Sequence, residues 1–233
     1  MTMTTVLTRL SAAIGGLAVG ALALAVPVNA AEGPLSVTVP APGVHLIGYA
    51  KAKLKVTEWV SYTCPHCSQF ETEGGDRLRL FYMSTGKVKL EVRHLVRDPF
   101  DLTAAMLTNC GPAARFDRNH AVFMKSQPTW LGKLMKTTPA QRARYTTGTM
   151  TQRRMAIATD AGFYPMMVTR GYSRVEVDRC LADEAMAGAL AEATARYADE
   201  TGIRGTPSFA IDDVVLAGTN DWESLKLQLD ARL

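Results

Sequence analysis

The chain has 233 residues, 26 basic and 22 acidic, a formal net charge of +4 and 47% hydrophobic side chains. That length allows one sizeable core, or a core carrying an inserted subdomain. No block of like charge stands out and no repeat or low-complexity tract is visible, so nucleic-acid binding gains no support.

The N-terminus reads as an export signal. Arg9 is the only charged side chain before Glu32, and an apolar run from Leu10 to Val26 follows it. Pro27 breaks the run, and Val28-Asn29-Ala30 places small or modest residues before a cut after Ala30. This pattern predicts a cleaved signal peptide over residues 1–30 and a periplasmic protein, in a compartment where disulfides persist. The alternative is an uncleaved anchor, since Leu10–Val28 is almost long enough to span a bilayer. Ala31–Pro42, with Gly33, Pro34, Pro40 and Pro42, reads as an extended entry segment.

Leu54–Val60 predicts a strand with Glu58 near its apolar end. Thr63 is placed to cap a helix starting at Cys64, with Pro65 near its first position, where the missing N–H costs nothing. The helix is expected to run toward Met83, with Gly74-Gly75 weakening or kinking it. After a turn at 84–87, Val88–Val96 alternates as a second strand, giving a βαβ unit with a parallel pair. From Leu102 to about Asp183, helix formers broken by Gly and Pro predict several short helices, and Ala185–Glu200 adds one more. Ser208–Ile211 and Val214–Leu216 flank Asp212-Asp213 as a tight hairpin. Asn220 and Glu223 fit a capping box for a last helix that carries Trp222, Leu225, Leu229 and Leu233 on one face.

Chemistry concentrates in Thr63-Cys64-Pro65-His66-Cys67. Two cysteines two residues apart permit a redox pair, half a metal site, or a structural disulfide. A zinc site needs about four ligands. Outside the motif the chain offers Cys110, Cys180, His45, His94 and His120, with no second CxxC and no HxxxH. A disulfide closing so small a loop gains little entropy. A thiol at a helix N-terminus, by contrast, has its thiolate favoured by unsatisfied N–H groups and the helix dipole. Cys64 holds that position and is expected to be partly exposed, with Cys67 deeper. His66 adds an imidazole beside the sulfur. The asymmetry suits thiol–disulfide exchange, Cys64 forming the mixed disulfide and Cys67 resolving it. A CxxC near a βαβ pattern also reads as thioredoxin-like.

The stretch Glu58-Trp59-Val60-Ser61-Tyr62-Thr63-Cys64-Pro65-His66-Cys67-Ser68-Gln69-Phe70 resembles the active-site segment of the DsbA family of bacterial thiol–disulfide oxidoreductases. Gly205-Thr206-Pro207-Ser208-Phe209 resembles that family's cis-proline loop. The resemblance implies an α/β chain: a thioredoxin fold with an inserted helical subdomain. It assigns 31–100 and 185–233 to the thioredoxin-like domain and 101–184 to the insertion. It implies Cys64 as nucleophile, Cys67 as resolving thiol, Pro65 and His66 as the dipeptide tuning the potential, and Pro207 as the cis residue. Thr206 would pair with an extended substrate strand, and Glu58 would be the buried acid that takes the Cys67 proton. Lys89 falls, by a looser alignment, where a basic partner for Glu58 can occur. Thr206 departs from the apolar β-branched residue of the best-known oxidases and is more usual in the isomerase branch and in some oxidase lineages. The chain lacks room before Cys64 for the N-terminal dimerisation domain those isomerases carry.

Cys110 and Cys180 lie in the helical block, 70 residues apart, and in an oxidising compartment suggest a structural disulfide, with two buried free thiols as the alternative. The sequence thus predicts a monomeric periplasmic oxidase without cofactor or metal. It would pass the Cys64–Cys67 disulfide to reduced or unfolded exported proteins and be re-oxidised by a DsbB-like membrane partner. An isomerase or reductase of the same fold, and a non-enzymatic metal-binding or metallochaperone module, are the competing readings.

Overall fold

The computed structural model describes residues 36–233. The signal-peptide reading therefore lies outside the described residues. Among those described, no helix is long and apolar enough to cross a membrane.

One sheet organises the chain. Its strands are β1 (Ser36–Ala41), β2 (Val44–Gly48), β3 (Leu54–Val60), β4 (Val88–His94), β5 (Ser208–Ile211) and β6 (Val214–Val215), in the order β1-β2-β4-β3-β5-β6. β3 and β4 are parallel, with Glu58 opposite Val92, and every other neighbour is antiparallel. Side chains alternate across the sheet. Val56, Glu58 and Val60 therefore share one face of β3, while Thr57 and Trp59 take the other. Within the segment expected to be merely extended, Ser36–Ala41 forms β1, which pairs with β2 as a hairpin. Val37, Val39 and Ala41 do alternate along β1, but Pro40 within it and Pro42 beyond it read as strand breakers, and most of the strand faces solvent.

After β3 comes α1 (Pro65–Phe70), which continues through a π-helical turn at Glu71–Gly75, α2 (Asp76–Leu78) and a second π-helical turn at Arg79–Met83. Gly74 and Gly75 sit in the first π turn without ending the helix. Their role is space: a Cβ on Gly74 would meet the Trp222 ring at 2.5 Å, and one on Gly75 the Glu71 carboxylate at 2.5 Å. Trp222 opens α11 (Trp222–Asp230), whose Leu225 and Leu229 complete that side of the core. Its cap is Asp221, boxed with Ser224, one residue beyond the expected Asn220 and Glu223.

The β4–β5 connection is helical: α3 (Pro99–Thr108), α4 (Phe116–Lys125), α5 (Gln127–Met135), α6 (Pro139–Ala143), α7 (Met150–Ala161), α8 (Phe163–Thr169), α9 (Arg174–Leu181) and α10 (Glu184–Thr201). α10 covers the second face of the sheet, where Tyr197 and Ala193 pack with Trp59, Leu95, Ile203 and Ala210. α3 to α9 build a second group around Phe123, Trp130, Phe163 and Met167, continuous with the main core. Cys110 and Cys180 are bonded, Cα–Cα 5.6 Å, joining the end of α3 to α9. The result is a thioredoxin fold with an inserted helical subdomain.

Candidate active site

Cys64 and Cys67 are both free thiols. Cys64 is the residue preceding α1 and Pro65 its first residue. The helix has no side-chain cap. Thr63, expected as the cap, turns its hydroxyl to Asp98 Oδ2 (2.7 Å). The first N–H groups of α1 thus remain available to the Cys64 sulfur. Cys64 is not partly exposed as expected: it is 2% accessible, against 1% for Cys67. Its S–H donates to Thr206 O (3.1 Å), so the loop from the far end of the chain covers it.

The two thiols differ in electrostatics rather than in burial. Cys64 is lowered to about 5, first by the hydrogen bond from the Cys67 thiol, with burial opposing. The Thr206 side chain and the backbone N–H groups of Cys67 and His66 also favour the thiolate. In the dithiol form Thr206 Oγ1 is buried without a hydrogen-bond partner, so it is free to turn to the sulfur when that ionises. Cys67 is pushed well up by burial, then by Cys64 and by the charge of Glu58. His66 acts through its backbone, while its exposed ring lines a recess of about 290 Å³ shared with Thr206, Pro207 and Asp221. Pro65 is exposed, and the Thr206–Pro207 peptide is cis.

Glu58 lies beneath the pair, 2% accessible. Burial raises it to about 8, the Glu71 charge adds to this, and Arg79 opposes it. Its cationic neighbour is thus Arg79, which also pairs with Glu71 (2.8 Å) and Asp117 (2.8 Å). Lys89 cannot serve. It is in register with Lys55, on the opposite sheet face from Glu58, and its Nζ donates to Ala50 O (3.3 Å).

The sequence reading missed the residues that hold the loop before Cys64. Asp101 accepts from Ser61 Oγ (2.6 Å), Tyr62 N (2.7 Å) and Arg97 N (3.0 Å). Asp98 caps α3, accepting from Phe100 N and Asp101 N, both at 2.9 Å. Gln127 Nε2 donates to the carbonyls of Tyr62 and Cys64, each at 2.7 Å. All three side chains come from the helical connection. Asp98-Pro99 carried a readable helix-start signal; Gln127 carried none.

The histidines considered as metal ligands pack instead around Phe116. His45 stacks on that ring at 3.5 Å, with His94 and His120 at 5.8 and 5.7 Å. Burial lowers His45 to about 4, His120 to about 3, and His94 well below its ordinary value. Among the described residues, no group of three or more His, Cys, Asp or Glu side chains could hold a metal ion.

A cysteine pair at a helix start, a cis-proline loop across from it and a buried acid below it define a thioredoxin-type redox site. The thioredoxin family model matches residues 41–231, and the chain belongs to that family. The crystal structure of a protein-disulfide isomerase from Novosphingobium aromaticivorans is 49% identical, with a TM-score of 0.78 over 82% of this chain and 98% of that one. The α-DsbA1 structure from Wolbachia pipientis shares the fold at 20% identity, TM-score 0.65, over 83% of this chain and 92% of that one. A Rickettsia bellii protein named as a candidate protein-disulfide oxidoreductase is 25% identical over 170 residues, 72% of this chain and 57% of that protein. The chain spans about half the length of the curated relatives it matches.

Proposed function

We propose that this protein is a periplasmic dithiol–disulfide oxidase acting on exported polypeptides. One arrangement carries the reading: Cys64 stands at the uncapped start of α1 against Thr206, a setting that lowers it to about 5, while burial holds Cys67 well above the ordinary thiol range. Stabilising the thiolate of the reduced form makes the disulfide form the stronger oxidant.

A substrate thiolate attacks the Cys64 sulfur of the oxidised pair. The Cys64–Cys67 bond breaks, and Cys67 leaves with the electron pair and takes up a proton that Glu58 can supply. A second substrate thiolate then attacks the substrate sulfur of the mixed disulfide and releases Cys64 as a stabilised thiolate. The substrate loses two electrons and the protein gains them. Thr206 and Pro207 would align the substrate strand beside Cys64, and Pro65 and His66 would tune the potential. A DsbB-like membrane partner would re-oxidise the pair. The same reading keeps the cleaved signal over 1–30, the monomer, and the division into 31–100 with 185–233 and the insertion 101–184.

A second reading, disulfide isomerase or reductase, is supported by the name of the 49% identical structure and by Thr206. The redox potential, measured by equilibration with glutathione, tests the choice. An oxidase gives a value well above that of thioredoxin, about −270 mV. A value as reducing as thioredoxin's overturns the oxidase reading, and brisk refolding of a scrambled substrate without added isomerase supports the second.

A further inference from the structure

Charge is distributed unevenly along the chain in a way no short run reveals. Between Asp117 and Asp160 lie eight basic side chains and no acidic one. Part of this charge is neutralised across the fold: Lys125 pairs with Asp76, Arg144 with Asp160, and Arg154 with Glu184. Arg153 has no such partner among the described residues; its Nε donates to Gly148 O (3.2 Å). Arg97, from the loop after β4, likewise has no carboxylate partner and donates from Nε to Ser61 Oγ (3.0 Å).

These two guanidinium groups line the same recess, about 260 Å³, with an apolar wall of Leu102, Tyr145, Met150 and Ile157. Met150 is 49% exposed, so the wall opens to solvent. Asp98 and Arg154 also line it, but both charges are engaged. Asp98 caps α3 and accepts from Thr63, and Arg154 is held by Glu184 and the Leu181 carbonyl. The recess lies next to the redox pair, since the Asp98 in its wall is bonded to Thr63, the residue before Cys64. The other recess, lined by His66, Thr206 and Pro207, belongs to the thioredoxin core.

We propose that the recess of the helical insertion is a substrate-recognition site for acidic–apolar segments. An apolar side chain of the polypeptide undergoing exchange enters between Leu102, Tyr145, Met150 and Ile157. A neighbouring Asp or Glu of that polypeptide pairs with Arg97 and Arg153. The inference rests on the exchange reading above and adds its substrate class. Guanidinium groups suit this role because their planar fork matches a carboxylate bidentately. Unpaired positive charge beside an apolar wall also steers acidic chains to Cys64, an effect that salt screens. An anionic lipid surface offers similar charge, but a flat array of headgroups does not enter a concave recess of single-side-chain size.

The test is the rate at which the oxidised protein forms a mixed disulfide with two single-cysteine peptides, one carrying Leu-Glu beside the cysteine and one Leu-Lys. The acidic peptide is expected to react about tenfold faster at low ionic strength, an advantage that added salt removes. Arg153→Glu is expected to invert the order. The salt series on the unmodified protein decides the matter should that variant fail to fold. Equal, salt-insensitive rates for both peptides would overturn the recognition site and leave the exchange reading standing. So would binding of anionic vesicles that Arg153→Glu abolishes, if the peptides are not discriminated. Failure of the oxidised protein to accept electrons from dithiothreitol would remove both readings.

Discussion

The chain carries two cysteine pairs, and they behave as opposites. Cys64, Cys67 and Cys110 are buried and Cys180 is half-buried, so the reactive pair is not the more exposed one. What differs is what surrounds the sulfurs. Cys64 faces helix N–H groups, a neighbouring thiol and Thr206, with Glu58 beneath its partner. Cys110 and Cys180 join the end of α3 to α9 across a separation of 70 residues. The first pair encloses almost no chain, so its bond adds little to stability, while the second encloses a long loop. Reactivity here is a property of the electrostatic setting, and structural worth a property of loop length.

Four substitutions press on that contrast, in falling order of their effect on exchange. Cys64→Ser is expected to abolish disulfide transfer to a reduced peptide, since no other thiol combines a lowered pKa with a resolving partner. Retained transfer would mean that Cys64 is not the attacked sulfur. Glu58→Gln comes next. Removing a positioned proton carrier is expected to slow exchange on the order of 10² and to erase any feature near pH 8 from the pH–rate profile. The sign of its stability effect follows from burial. Glu58 is raised to about 8, so it favours the folded state below the ordinary carboxyl value, and this stabilisation is lost as pH rises through 8. The Gln variant should lack that decline in denaturation midpoint, and an unchanged decline would assign it to another group.

Gln127→Ala removes both 2.7 Å bonds to the loop carbonyls. It is expected to cost about 1–3 kcal/mol and to raise the Cys64 pKa, read from thiolate absorbance, through looser placement at the helix start. The folded dithiol form gains stability from the Cys64 thiolate above the ordinary thiol value of 9 and loses it as pH falls through about 5. In Gln127→Ala that loss should be smaller and complete at higher pH. The smallest effect on exchange is expected from replacing Cys110 and Cys180 together by Ala. Transfer should persist while stability falls by roughly 4 kcal/mol, about 8–16 °C in Tm for a chain of this size. A loss of transfer in the still-folded double variant would break the contrast between the pairs.

The redox motif, the central βαβ unit and the closing hairpin were legible because each has a local signature. Asp212 and Asp213, both at positive φ, form the tight turn their position suggests. Features set by long-range geometry were not legible. β1 was obscured by Pro40 and Pro42, since proline within a run argues against a strand unless the strand lies at a sheet edge, as β1 does. Lys89 looked available to Glu58 until the register put it in step with Lys55, across the sheet. Arg79 was hidden because the π-helical turn at Glu71–Gly75, rather than an uninterrupted α-helix, sets where its side chain falls. Gln127 sits 63 residues beyond the carbonyl of Cys64 that it holds.

The contact between Cys64 and Thr206 spans 142 residues. A chain made from its N-terminus therefore presents the Cys-Pro-His-Cys motif long before it presents the loop that covers it. Gln127 and Asp101 also follow the motif, so the loop that aims Cys64 is unsupported at first. Throughout that interval Cys64 is an ordinary thiol with an ordinary pKa. The setting that favours its thiolate is complete only once the last strands have closed.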